Sequence, residues 1–311
     1  MPLVSVVVPN YNHARFLEER VESILGQTFR DYELILLDDG SGDGSREMIL
    51  RYGERFPRIR VYLNDRNGGS PFRQWDFGVR QAAGGYVWIA ESDDAAAPTF
   101  LEETVPVLED NPRVGLCYCD TRTIDEGGRT VDAPAGGAFP SGEGETCRRV
   151  AGGRDEIENG LCAFNTIRNA SGVLFRKSDY LRAGPADQGM RYCGDWFLYL
   201  RILLSADVGH VAKPLNRFRV HAGSTVHRYY ADDLYLREVL RVYRYLMENL
   251  SLPPRSRKRI HDEISRHFCL SLKKGCLPSR KVLRGMREAV PFFGFRLASY
   301  LAGRVVRKCV L

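Results

Sequence analysis

The chain has 311 residues, 44% of them apolar and 27% charged, with 45 Lys+Arg against 39 Asp+Glu for a net charge of +6. This is the composition of an ordinary soluble protein that can bury one large core or two modest ones, and no run reaches the roughly 18 apolar residues that a membrane span requires. The opening stretch MPLVSVVVPNYN has too short an apolar run and no basic leader for a signal peptide. The eight cysteines lack metal-site spacing and read as reduced thiols of a cytosolic protein, Cys117 and Cys119 being too close for a C-x-x-C pair.

The first half alternates strands with helices. Leu3 to Pro9 reads as a strand, and Ala14 to Gln27 as a helix with apolar residues at Phe16, Leu17, Val21, Ile24 and Leu25. A second strand (Tyr32 to Ser41) and helix (Gly44 to Phe56) follow, then a third strand (Ile59 to Asp65) and a helix ended by glycines (Phe72 to Gly85). The fourth strand, Tyr86 to Asp94, ends in Glu91, Asp93 and Asp94, after which Pro98 opens a helix over Thr99 to Leu108. A fifth strand runs from Val114 to Asp120. Strands spaced by helices predict βαβ units and a mainly parallel sheet with right-handed crossovers. Beyond Asp125, Gly127 to Glu145 is a Gly- and Pro-rich loop without periodicity. Ala170 to Leu181 then reads as strand and turn, Asp195 to Ala206 as a helix, and Val208 to His221 as a strand. From Asp232 the pattern is helical and basic: Arg237 to Leu311 holds 18 Lys+Arg and 5 Asp+Glu, so the rest of the chain is net acidic.

In a parallel sheet the strand ends PNYN (Pro9 to Asn12), DDGS (Asp38 to Ser41) and ESDD (Glu91 to Asp94) lie along one rim, where ligands of open α/β sheets bind. Tyr11 offers an aromatic face, Asp39 an acceptor for a base edge, and Asp93 with Asp94 a carboxylate cage for Mg²⁺ or Mn²⁺, hard cations that choose oxygen. These are the parts needed to hold a nucleoside diphosphate. Each has a plainer reading, since DDGS is a common turn and a tyrosine after a strand usually packs. Their succession at the ends of consecutive β units favours the site.

The segment Val4 to Ser45 resembles the opening of family 2 glycosyltransferases of the GT-A fold, and Asn64 to Pro98 continues the likeness with ESDD in the place of the family's D-x-D-type motif. The resemblance implies an α/β fold of GT-A type (Rossmann-like), with a mainly parallel sheet flanked by helices and, beyond it, a helical basic C-terminal extension. It implies a nucleoside-diphosphate sugar donor of UDP, GDP or dTDP type and a Mn²⁺ or Mg²⁺ cofactor. Pro9 and Tyr11 would line the nucleobase, Asp39 would bind base or ribose, and Asp93 and Asp94 would contact metal or ribose, the choice between them staying open. Glu91 stands where many members have Asp. In YCGDWFLYLRIL, Gly194-Asp195 replaces the family's frequent Glu-Asp pair, and Asp195 would be the general base for the acceptor hydroxyl; an acid beginning a helix also suits a cap role. In NRFRVHAGSTVH, Arg219, His221 and Ser224 match an Arg-x-His-x-x-Ser segment that would offset the charge of the leaving diphosphate.

The expected division is 1–125 for the nucleotide-sugar-binding half, 126–230 for the acceptor-binding and catalytic half, and 231–311 for the basic extension. Within that extension Ala289 to Gly303 is apolar apart from Arg296 and Ser299 and is flanked by basic clusters, which suits a helix lying in an anionic membrane interface. The alternative is that its aromatics pack on the catalytic domain or on a second subunit in a homodimer. The expected function is inverting sugar transfer to a glycan or lipid-linked acceptor at the cytoplasmic face of the plasma membrane, in polysaccharide or cell-envelope biosynthesis. A nucleotidyltransferase would share the sheet and metal, but PNYNHARF has neither the Gly-rich loop nor the basic clamp for a triphosphate. The tail also admits a nucleic-acid binder; no recognised motif for one is present, so no nucleic-acid partner is expected. A scaffold that has lost catalysis is disfavoured by the retained Asp39, Asp93, Asp94 and Asp195.

Overall fold

The computed structural model describes residues 1–131, 148–167, 169–223 and 233–273. Most of the Gly-rich loop, Ser224 and the apolar segment Ala289 to Gly303 lie outside these residues.

The first three β-α units are β1 (Val4–Asn10), α1 (Ala14–Leu25), β2 (Tyr32–Asp38), α2 (Ser45–Arg55), β3 (Ile59–Leu63) and α3 (Pro71–Gln81). Next come β4 (Tyr86–Ile89), the short β5 (Ala95–Ala96), α4 (Phe100–Glu109) and β6 (Val114–Ile124). The second half holds β7 (Arg148–Ala151), α5 (Gly153–Glu156) running into a π-helical turn (Ile157–Leu161), a 3-10 turn (Ala170–Gly172), β8 (Val173–Arg176), α6 (Lys177–Ala183), α7 (Gly194–Leu203) and β9 (Asp207–Arg219). Two long helices, α8 (Asp233–Asn249) and α9 (Pro254–Lys273), follow.

All nine strands form one mixed sheet in the order β3-β2-β1-β4-β8-β6-β9-β5, with β7 also paired to β9. β3, β2, β1 and β4 are parallel neighbours. β8 runs against both β4 and β6, so β6 and its parallel partner β9 point the same way as β1. Inserting β8 here carries the turn at Asn169 to Gly172 to the carboxyl end of β4, beside the acid loop.

The sheet is buried on both faces, which is why its strands are near-continuous apolar runs. Val7, Ile35, Leu37, Val87 and Ile89 face one way, under Trp75 of α3, Trp196 of α7 and Val242 of α8. Val6, Val8, Leu34, Leu36 and Trp88 face the other, against α1, α2 and α4. Each such large side chain contributes about 1.5–3 kcal/mol by leaving water. α3 opens with Pro71 at its first turn, where the missing N–H costs nothing. α4 begins at Phe100 with Thr99 in the cap position, so Pro98 precedes the helix and does not start it. The segment after β8 continues into a helix, α6, where the sequence suggests a turn. Seven residues are too few for a hydrophobic period to stand out. Two-residue β5 and the exposed β7 were likewise invisible, because edge pairing with β9 defines them and their own patterns do not.

Candidate active site

The rim is assembled first by local locking of the strand ends. Asn12 adopts a left-handed backbone (φ 57°), a conformation Asn tolerates. Its side-chain oxygen accepts the Gly42 N–H at 2.9 Å, and its own N–H donates to Ser41 Oγ at 2.9 Å. Asn10 donates to Asp38 across the same seam at 3.0 Å. The PNYN and DDGS turns are thereby one unit. Tyr11 projects from it 45% exposed, while Pro9 is buried in β1 opposite Leu37.

Asp39 is buried and organised from behind. Its Oδ1 accepts from Asn64 and Gln74 at 2.7 Å each, and both its oxygens accept the Gly68 N–H at 3.0 Å. Gly40, at φ +75°, lets the chain pass so close that a Cβ there would lie 2.7 Å from the Arg66 backbone. Gln74 and Asn64 were missed in the sequence because polar residues on a helix face and after a strand carry no pattern of their own.

The two aspartates of ESDD face opposite ways. Asp94 is 1% exposed and turned into the protein. Its Oδ2 accepts from Ser171 Oγ (2.6 Å) and Asn169 (3.1 Å), and its Oδ1 from the Arg219 N–H (2.9 Å). Burial, then the charge of Asp93, pushes its pKa up to about 6. Asp93 is half-buried and meets His221 Nε2 at 3.1 Å. Burial raises the Asp93 pKa, but the hydrogen bond from His221 and the fields of His13 and His221 outweigh it and hold the carboxyl below its usual range. Ligand atoms of His13, Asp93 and His221 lie within 4.8 Å of one another, the one such potential metal cluster among the described residues. His13 bonds Ser92 Oγ through Nδ1 at 2.9 Å, and its pKa is lowered by burial, which leaves a neutral imidazole at pH 7. A carboxylate and two imidazoles thus converge where Asp94 does not reach, a donor set that fits Mn²⁺ better than oxygen-seeking Mg²⁺.

Arg219 lies beneath this cluster, 1% exposed. Its guanidinium donates to the carbonyls of Asp93 (2.8 Å), Asp125 (3.0 Å) and Glu126 (3.1 Å) and pairs with Glu19. It therefore buttresses the acid loop from inside, and His221, two residues on and also buried, meets Asp93.

Asp195 stands in the first turn of α7, half-buried. Cys193 holds the cap position, so the carboxylate is not the N-cap, although it accepts the Trp196 N–H at 2.7 Å. Its other oxygen accepts from Asn165 at 3.0 Å. Burial drives its pKa up to about 7, against those two hydrogen bonds. Glu91, on the facing loop, is pushed up to about 8, chiefly by burial and next by Asp93, while the Trp75 indole N–H (2.7 Å) pulls the other way. Burial pushes the Tyr199 hydroxyl well above its usual pKa, and the charges of Asp195 and Glu91 add to the shift.

One short helix ties these parts together. In α3, Gln74 grips Asp39, Trp75 grips Glu91, and Phe72 lies on Gly194 beside Asp195. A Cβ on Gly194 would sit 2.4 Å from two Phe72 ring atoms. A side chain at Gly194 would therefore require the Phe72 ring to shift.

The fold and rim define a GT-A-type α/β protein with carboxylates gathered at the carboxyl ends of its central strands. The profile described as "Glycosyl transferase family 2" matches residues 5–163, and the chain belongs to that family. An uncharacterized glycosyltransferase of Rickettsia prowazekii is 24% identical over 227 residues, covering 72% of this chain and 66% of the relative; the match thus spans just under two thirds of that relative. TarS of S. aureus (residues 1–349) in complex with UDP-GlcNAc superposes with a TM-score of 0.72 at 17% identity, over 95% of this chain and 83% of TarS. The mannosyltransferase PcManGT of Pyrobaculum calidifontis, in complex with GDP-Man and Mn²⁺, gives a TM-score of 0.61 at 18% identity, over 98% and 80% of the two chains. Among the described residues no helix is long and apolar enough to cross a membrane.

Proposed function

We propose that this glycosyltransferase moves a sugar from a nucleoside-diphosphate sugar to an acceptor hydroxyl with inversion at the anomeric carbon. The observation that supports the reading is the joint attachment of Asp39, Glu91 and the Asp195 turn to one helix, α3, through Gln74, Trp75 and Phe72. Tyr11 packs on the nucleobase, above Pro9, and Asp39 accepts from base or ribose. The metal assignment narrows to Asp93, with His221 and His13 beside it, and Asp94 and Arg219 hold that loop in shape. A divalent cation at this cluster would neutralise charge on the departing diphosphate. Asp195 takes the acceptor's proton as its oxygen bonds to the anomeric carbon and the bond from that carbon to the diphosphate breaks. A base with a pKa of about 7 is matched to such work at neutral pH. The donors in the TarS and PcManGT complexes, UDP-GlcNAc and GDP-Man, support a nucleotide sugar here.

We infer further that the acceptor is a lipid-linked or surface glycan met at an anionic membrane, a reading supported by the basic, partly apolar sequence after Arg237. The direct test is a calorimetric panel of UDP-, GDP- and dTDP-sugars with and without Mn²⁺. One donor should bind with Mn²⁺ and weaken in EDTA; absence of binding to the whole panel would refute the reading.

A further inference from the structure

The turn that presents Asp195 is held by a residue far along the chain. Glu238 lies on α8, the first helix of the basic extension, and is 4% exposed. One of its oxygens accepts the Arg191 N–H at 2.7 Å, and the other accepts the N–H groups of Tyr192 at 2.8 Å and Cys193 at 2.9 Å. Three consecutive backbone donors immediately before α7 thus converge on one buried carboxylate. These groups have no partner within α7 itself, since the donors at and before a helix start point away from its ladder. A carboxylate there also meets the positive end of the helix dipole.

α8 is anchored for this task. The Tyr243 hydroxyl donates to the Ala163 carbonyl, and the Tyr243 ring meets Trp196 edge-on at 5.7 Å. Trp196 donates to the Leu161 carbonyl at 2.8 Å. Asp195 therefore sits between a loop fixed by α8 from one side (Ala163 to Asn165) and a turn fixed by α8 from the other (Arg191 to Cys193).

We propose that Glu238 is a positioning residue for Asp195, gathering the backbone of residues 191–193 so that the base is aimed at the acceptor. The proposal rests on the reading of Asp195 as the base. It gives the start of the C-terminal extension a part in catalysis distinct from membrane contact, and it lies outside the matched family segment 5–163. A carboxylate has acceptor sites for all three N–H groups, whereas a glutamine amide has one accepting oxygen and turns its NH₂ against a donor. An alanine satisfies none of them.

The test compares Glu238→Gln, Glu238→Ala and Leu246→Ala in the full chain. Leu246 is fully buried on the same helix, and its truncation weakens α8 without touching the turn. Donor affinity is measured by calorimetry, and turnover at a temperature below every variant's melting point. Glu238→Ala should lower kcat about 100-fold, the cost of a misplacement on the order of 1 Å, with Glu238→Gln between it and wild type. Donor Kd should be unchanged in both, and Leu246→Ala should keep kcat while melting earlier. If Glu238→Ala fails to fold, Glu238→Gln alone decides. Wild-type kcat in the folded Glu238 variants, or an equal kcat loss in Leu246→Ala, overturns the proposal. Asp195→Asn distinguishes the two levels: if it is inactive while the Glu238 variants are normal, only the positioning role falls. If it is fully active, the base assignment falls and takes the positioning role with it.

Discussion

The proposed donor side and the proposed acceptor side of the site are built by different means. On the donor side, the turns that carry Tyr11 and Asp39 sit at the ends of neighbouring parallel strands and are locked by residues close in sequence or one β unit away, as Asn12 is to Ser41 and Gly42 and Asp39 is to Asn64 and Gln74, while the acid loop beside them is held by Asn169, Ser171 and Arg219 from further along the chain. On the acceptor side the proposed base, Asp195, is bonded by Asn165, 30 residues distant, and the turn before it is bonded by Glu238, 45 residues and more distant. The first arrangement follows from topology and is therefore stamped on a short motif. The second depends on how α7 and α8 pack, so it can vary without leaving a local signature. The difference teaches that the nucleotide rim, as proposed, is framed by the sheet, whereas the proposed base is placed by the helices laid upon it.

The sharpest way to break this comparison is to remove the base alone. Asp195→Asn keeps the oxygen that accepts the Trp196 N–H but cannot take a proton. It should lower transfer by about 10²–10⁴-fold while donor binding is retained. In the wild type, transfer should rise as pH passes through about 7, since only the ionised carboxylate accepts a proton. Stability should run the opposite way. The folded state holds the Asp195 proton up to about 7, against an ordinary value of 3.8, so between these limits the native protein binds more protons than the unfolded chain and loses stability as pH rises. Asp195→Asn lacks this penalty, and thermal melting at pH 8 should find it at least as stable as wild type relative to pH 4. A variant that is active, or one destabilised most at pH 8, would dissolve the assigned contrast.

The next test separates two adjacent donor-side acids. Asp94→Asn removes a buried charge facing Arg20, whose two terminal nitrogens have no hydrogen-bond partner and lie 3.9 Å from the carboxylate at the nearest. Taking away the first of the acids that offset that guanidinium, with Asp93, Glu91 and the Glu91 carbonyl remaining, should cost up to about 3–5 kcal/mol, read by urea unfolding. Asp93→Asn should lower the unfolding midpoint less than Asp94→Asn does, losing only the stability that the His221 contact gives the ionised carboxylate, and should abolish the Mn²⁺ dependence of donor binding. A reversal of these phenotypes would exchange the structural and ligand-facing roles of the pair. The smallest expected effect is at the rim: Tyr11→Ala, which gives up a half-exposed ring, should weaken nucleoside diphosphate binding by about 0.5–1.5 kcal/mol in calorimetry. No change there would move the base away from Tyr11.

Much was legible in the amino-acid order alone. The apolar runs of β1, β2 and β4, each closed by a polar turn, determined a doubly covered sheet and the rim on which Tyr11, Asp39 and Asp93 stand, because strand burial imposes continuous apolar runs and crossover topology puts the strand ends together. The acid opening α7 was legible through the family resemblance of YCGDWFLYLRIL, the residues alone suggesting a helix cap, a position that Cys193 holds. Tertiary structure decided the rest. Asp93 and Asp94 have the same chemistry in sequence, and only the arrival of Asn169, Ser171 and Arg219 from β8 and β9 turns one inward and leaves the other to His13 and His221. Gly194 reads as a lost acid until Phe72 of α3 is found in its space. Glu238 reads as one more charge on a surface helix, because three backbone N–H groups 45 to 47 residues upstream leave no trace in the identities around it. Hydrogen bonds to backbone are blind to side-chain type at the donor, so the packing of α8 on α7 alone determines what that carboxylate holds.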